Sequence, residues 1–438
     1  MRTAIRLAVA LFIALNIFGF FYGREAVAVA TGYSAKQLCS GVFVSRLPED
    51  FIIERDILPR MAVMGPALPL LELTVNESEG FASAALLGME SRATHSTEFG
   101  CVLHGEMNGQ AAQPDAEPAD AVGVPAVLET AFAEAFSEPA DGQRSTMALL
   151  VMYNGELLAE RYSEPVAVST RLQGWSMNKS LMATWIGLAT EAGEFDPTQP
   201  VIEQLASVDD APDVDSHLTT LHLLQMESGL DFDEFYAPGS DATSMLYREN
   251  AMWRRVASTG QRYAPGLHFS YSSGDSVFAS FLWQHSLTTG YSDWIRTRFS
   301  NPLGITSLVA EADASGVQVG SSYAYMTARD WLRVGQLWLD AWHGRSDLLS
   351  QEWLRASVAA RESSPSGRYG RGFWLNTGRR YYPAAPATTF LASGNAGQVV
   401  VVIPEWEMVV VRLGLTEPRV RTGVGELIES LNGLRSSL

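Results

Sequence analysis

Two strand-turn-strand signals, set at opposite ends of a long helical stretch, constrain this chain most. Met147 to Met152 and Glu156 to Tyr162 flank Asn154-Gly155, a pair that suits a tight hairpin because both residues adopt positive φ readily. Far downstream, Val399 to Ile403 and Met408 to Leu413 flank Pro404-Glu405-Trp406. Such Val- and Ile-rich runs want burial on both faces, which a sheet covered by helices provides. Helical periodicity fills the interval: Trp331, Val334, Trp338 and Trp342 follow a Thr327/Asp330 capping signal, and Leu221 to Met226 stops at Ser228-Gly229. Leu128, Phe132 and Phe136 predict a helix ahead of the first hairpin, and Val424, Leu427, Ile428, Leu431 and Leu434 predict one after the last. The expectation is an α/β (α+β) fold, with one mixed, mainly antiparallel sheet completed by both ends of the domain and flanked by helices.

That domain is expected over residues 126–438. Ahead of it, residues 109–125 are rich in Ala, Asp, Gln and Pro and read as a linker. Residues 31–108 read as a small β-rich subdomain, from the apolar pieces Val42-Phe43-Val44, Phe51-Ile52-Ile53 and Leu70 to Val75. Residues 1–30 carry Arg2 and Arg6, an apolar run from Leu7 to Phe21, and small residues at Ala26-Val27-Ala28 and Ala30. This is the pattern of a signal peptide or an N-terminal membrane anchor. Export to the periplasm or the extracytoplasmic face of the inner membrane is the expectation, with a membrane tether where the segment is kept. In an exported chain the pair Cys39 and Cys101 reads as a disulfide, and neither stands at metal-ligand spacing.

A net charge of −18 argues against nucleic acid or anionic lipid as a partner, since both need a cationic footprint. Of 31 basic residues only two, Lys36 and Lys179, are lysines. Arginine keeps its proton whereas a buried lysine can release it, so a lysine retained in an arginine-writing chain hints at acid–base chemistry. Lys179 stands three residues after Ser176, just ahead of the helical face Leu181, Trp185 and Leu188. One helical turn brings the amine to the hydroxyl, and serine, a weak nucleophile at its own pKa, needs such a base. Free N–H groups at the helix start favour the oxyanion that attack would create. Other schemes fit poorly: Gly174-Trp175-Ser176-Met177-Asn178 lacks the second glycine of a nucleophile elbow, and the seven histidines form no metal-binding run. Neither lysine completes a phosphate-binding loop, and no metal or cofactor is expected.

Two further stretches follow in order, Tyr271-Ser272-Ser273-Gly274-Asp275 and Ser393-Gly394-Asn395-Ala396-Gly397-Gln398. With Trp175-Ser176-Met177-Asn178-Lys179-Ser180, Met226-Glu227-Ser228-Gly229-Leu230, Pro302-Leu303-Gly304 and Thr327-Ala328-Arg329-Asp330 they resemble the serine β-lactamase and penicillin-recognising superfamily. The resemblance lies on its class C and esterase-like side, and most with the nylon-oligomer (aminohexanoate-dimer) hydrolase branch. It implies a β-lactamase/transpeptidase-like fold and a serine hydrolase that cleaves an ester or amide of a small molecule through an acyl-enzyme. By that resemblance Ser176 is the nucleophile, Lys179 its base and Tyr271 the proton relay. The oxyanion hole would be the backbone N–H groups of Ser176 and Asn395, with Ser393 and Gly394 beside them, and Tyr236 would touch substrate. One departure stands out: Ala392 occupies the place where β-lactamases carry a carboxylate-holding lysine. Uncharged acyl esters or amides are therefore expected to outdo penicillins and cephalosporins, unless an arginine such as Arg412 takes over. A true β-lactamase or D-Ala-D-Ala peptidase, and a catalytically idle envelope protein binding peptidoglycan-like ligands, remain as alternatives.

Overall fold

A computed structural model describes residues 2–105, 120–140 and 142–434, with side chains from Phe21 onward. One helix runs over Arg2–Cys39. It lies on an antiparallel sheet of four strands in sequence order, β1 (Glu72–Asn76), β2 (Phe81–Leu86), β3 (Met89–Ser96) and β4 (Gly100–Leu103). The register pairs Ala84 with Ser91 and Ala82 with Ala93, which puts four small residues on one face. Thr31 on the helix meets Ser91 at 2.9 Å, so this is the face the helix covers, and small side chains are what let it approach. Leu70 to Val75 overlaps β1, as expected. The other two expected strand pieces are helical: Val42 to Val44 falls in Ser40–Val44, and Phe51 to Ile53 falls across Glu49–Ile52 and Ile53–Ile57. Acidic Glu49 and Asp50 directly after Pro48 favour a helix start there, and three apolar residues alone carry no period.

The larger sheet has six strands: β5 (Thr146–Tyr153), β6 (Glu156–Tyr162), β10 (Trp374–Leu375), β11 (Phe390–Gly394), β12 (Gln398–Ile403) and β13 (Met408–Gly414). Between them in the chain lie the short β7 (Leu172–Gln173), β8 (Val309–Ala310) and β9 (Ala324–Met326), which form a separate three-stranded sheet in the order β7-β9-β8. The six-stranded order is β10-β11-β12-β13-β5-β6, antiparallel throughout, so the last strand pairs with the first, Val410 opposite Val151. Both predicted hairpins form, at Asn154-Gly155 and at Pro404–Trp406. The valine runs serve both faces, as their composition demands. Val400, Val402, Val409 and Val411 join the core under the helical middle, while Val399, Val401 and Val410 pack under the terminal helices Glu129–Phe136 and Val424–Leu434.

A covalent link within the N-terminal region stands beside an ion pair that joins this region to the rest. Cys39 and Cys101 form a disulfide that ties the long helix to β4. Beside it, buried Lys36 pairs with buried Glu311 at 2.5 Å, and Glu311 also accepts from the Cys101 N–H and Ser40 hydroxyl. Of the expected linker, residues 109–119 lie outside the described residues, as do the side chains of residues 1–20 on which the export signal rests. Among the described residues no helix is long and apolar enough to cross a membrane.

Candidate active site

Ser176 sits in the 3-10 turn Trp175–Met177 that leads into the helix Asn178–Glu191. The residue before it, Trp175, takes φ +48°, a left-handed backbone that costs an L-residue roughly 1–2 kcal/mol. The end of β11 passes the turn backbone to backbone. A Cβ on Gly394 would lie 2.1 Å from the Gly174 carbonyl oxygen and 3.1 Å from the Ser176 nitrogen, so only glycine fits there. Asn395 begins the next turn, where Ala396 has φ +59°. Ser176, Ser393, Gly394 and Asn395 thus line one cavity of about 990 Å³, together with Tyr271, Tyr236 and Glu234.

Lys179 is buried one turn past Ser176, and its Nζ lies 3.1 Å from Ser176 Oγ, 3.1 Å from Ser273 Oγ and 3.3 Å from the Ser321 carbonyl oxygen. Its Nζ also stands 4.9 Å from the centre of the Tyr271 ring, which stacks on Trp374 at 5.2 Å. Ser273 is the first residue of the helix Ser273–Ser286. Its N–H and hydroxyl both donate to Glu234, at 2.6 and 2.7 Å. Tyr236 reaches the same point, its hydroxyl 3.1 Å from both Ser273 Oγ and Glu234 Oε1. The Tyr236 ring is more than half exposed while its hydroxyl end is tucked in, and that burial, with the Glu234 charge beside it, pushes the phenol well above its ordinary pKa. Behind this row Asp275 is buried; desolvation pushes it up to about 7, although Ser228 donates to it at 2.8 Å.

The structure brings the residues expected from sequence into one place. Arg412 does not join them: it is fully buried and donates to the carbonyls of Ala396, Gly397 and Arg144 and the hydroxyls of Thr146 and Thr416. It braces the turn after Asn395 rather than facing the cavity, and no replacement cation comes from it. Sequence reasoning missed Ser273 and Glu234 as site residues. Their signal was only position, Ser273 two after Tyr271 and Glu234 two before Tyr236. It also missed Tyr33, Asp56 and Arg60, which line the cavity from the N-terminal region and carry no local signal at all.

An antiparallel sheet between helical layers, with a serine and a buried lysine at a helix start beside the sheet edge, defines a β-lactamase-like hydrolase fold. The chain belongs to the beta-lactamase family, whose model matches residues 130–424. It is 30% identical over 270 residues to the 6-aminohexanoate-dimer hydrolase of Paenarthrobacter ureafaciens, a match covering 54% of this chain and 65% of that protein. Among solved structures, a putative 6-aminohexanoate-dimer hydrolase from Bacillus anthracis superposes with a TM-score of 0.57 at 17% identity, over 67% of this chain and 81% of that one. EstCE1, a hydrolase with promiscuous acyltransferase activity, does so with a TM-score of 0.57 at 14% identity, over 70% of this chain and 98% of its own.

Proposed function

We propose that the protein is a serine hydrolase that cleaves an ester or amide of a small molecule through an acyl-enzyme. The observation that carries this reading is the contact between Lys179 Nζ and Ser176 Oγ, 3.1 Å long, with no carboxylate paired to that lysine among the described residues. A neutral amine there accepts the serine proton while donating to Ser273 Oγ and the Ser321 carbonyl, so all three neighbours are satisfied as Ser176 attacks. The N–H groups of Ser176 and Asn395 receive the oxyanion, held in register by the Gly394 approach. Tyr271, against the lysine, passes the proton to the leaving group. Tyr236, which lines the same cavity, touches the acyl portion. Water then releases the acid by the reverse proton path.

Export belongs to the same proposal. The Leu7 to Phe21 run and the disulfide support it. The helix Arg2–Cys39 continues without a break past Ala26-Val27-Ala28, and Val27 and Ala30 are buried, which favours a retained anchor over a cleaved signal. A fluorophosphonate probe tests the chemistry: the wild-type protein takes the label and Ser176→Ala does not. Turnover of the best ester by Ser176→Ala, or a wild-type protein that neither labels nor turns over any ester or amide, rejects the hydrolase reading in favour of a binding protein.

A further inference from the structure

The cavity has a wall that lies outside the matched family segment. Val29, Tyr33, Asp56, Arg60 and Met61 line the same space as Ser176, and all precede residue 130. Within that wall Asp56 is buried, and its Oδ1 accepts from the Tyr33 hydroxyl at 2.8 Å and from Arg60 Nε at 2.7 Å. The second of these bonds holds the guanidinium by its Nε edge, with its centre 5.7 Å from the ring of Trp175, the neighbour of Ser176, and 5.8 Å from that of Tyr33. The terminal nitrogens, Nη1 and Nη2, have no hydrogen bond to any described residue, and the side chain keeps 30% of its surface open. A guanidinium pinned at Nε with its fork free has the geometry that takes a carboxylate two oxygens at a time.

We propose that the free fork of Arg60 binds a carboxylate on the substrate, so that the preferred ester or amide is an anionic one. This rests on the serine-hydrolase reading above. Ala392 leaves β11 without a cation and Arg412 is engaged elsewhere, so the N-terminal wall supplies the anchor that the family segment lacks. Of the other charged groups lining the cavity, Arg55 adds to the positive side, Glu234 is occupied by Ser273 and Tyr236, and Glu417 is the remaining acid. The expectation that uncharged acyl groups are best, drawn from Ala392 alone, is thereby revised.

The test is a matched series of p-nitrophenyl esters and p-nitroanilides whose acyl chains, equal in length, end in methyl, carboxylate or trimethylammonium. The wild-type protein should prefer the carboxylate member, and the carboxylate-to-methyl ratio of kcat/KM should fall about 10- to 100-fold in Arg60→Gln, the range of a lost charged hydrogen bond. Arg60→Glu should turn the preference toward trimethylammonium. Because the ratio is taken within one preparation, incomplete folding of a variant does not alter it. A wild-type preference for the methyl or ammonium member, or a ratio unmoved by Arg60→Gln, overturns the anion site while leaving the hydrolase reading intact. Absence of all turnover together with absence of labelling at Ser176 overturns both.

Discussion

Lys36 and Lys179 are the chain's two lysines, one in each region, and both are almost wholly buried. Their surroundings differ by one kind of group. Lys36 meets a carboxylate, Glu311, and the Cys101 carbonyl, with its Nζ 4.4 Å from the Tyr323 ring. Lys179 meets two hydroxyls and a carbonyl, with Tyr271 in the place of Tyr323. Burial pushes Lys36 below and Glu311 above its ordinary pKa, and each offsets the other's shift. A counter-ion makes the first lysine a fastening between regions; the second has none among the described residues, and the proposed function gives it the serine proton. On that proposal the same residue type, equally hidden, is divided between holding and reacting by its partner.

Lys179→Arg breaks this contrast most strongly. The variant should fold, yet lose about 10³-fold or more in acylation rate, because guanidinium does not accept the serine proton. Stopped-flow release of p-nitrophenol measures it, and near-normal acylation would remove the basis for calling Lys179 a base. Lys36→Met should do the reverse. It strands Glu311 without its cation, lowering stability by about 3–5 kcal/mol in urea unfolding, while kcat/KM of the folded fraction stays within about twofold. A joint Lys36→Met, Glu311→Leu replacement should regain most of that loss.

The disulfide sharpens the fastening side. Its cysteines are 62 residues apart, for which chain entropy gives about 4 kcal/mol; Cys39→Ser with Cys101→Ser should cost about 3, since Lys36 and Glu311 still hold the same ends together. Intact mass with and without reductant checks that the bond forms. Asp275 is the opposite case, a buried acid that, unlike Glu311, pairs with no cation among the described residues. Its pKa in the fold, about 7, lies above the unfolded value, so the proton's contribution is complete at pH below the unfolded value and is lost as pH rises through 7. Asp275→Asn should therefore match the wild-type protein near pH 4 and gain on it as pH rises to 7, levelling off at about 4 kcal/mol by pH 8. Thermal midpoints across that range measure the crossover, and a flat difference would place Asp275 in a more polar setting.

Legibility followed the range of the forces involved. The hairpins at Asn154-Gly155 and Pro404–Trp406 were readable because turn chemistry is local, and the sheet that closes last strand on first followed from their apolar runs. The grouping of Ser176, Lys179, Tyr271 and Asn395 was readable because each sits in a short motif whose order along the chain is itself informative. Phe51 to Ile53 misled because a triplet of apolar residues suits a strand or a helix, and only the neighbouring acids tipped it. Arg60 was silent for a different reason. Its nearness to Trp175 depends on how a helix and sheet before residue 105 settle against a domain that begins after residue 120, and no local pattern encodes that.

The two left-handed residues beside the proposed oxyanion hole, Trp175 and Ala396, imply a form of latency. Neither conformation is one that a free chain prefers, so both persist only while Gly394 abuts Gly174 and Arg412 grips the Ala396 and Gly397 carbonyls. The first of those constraints joins parts of the sequence more than two hundred residues apart, and the second exists only once the last strand is in place. On the proposed mechanism, a partly folded chain would carry Ser176 and Lys179 on a formed helix and yet have no cradle for a developing negative charge. On the same proposal, such a molecule would leave acyl compounds untouched until assembly is finished.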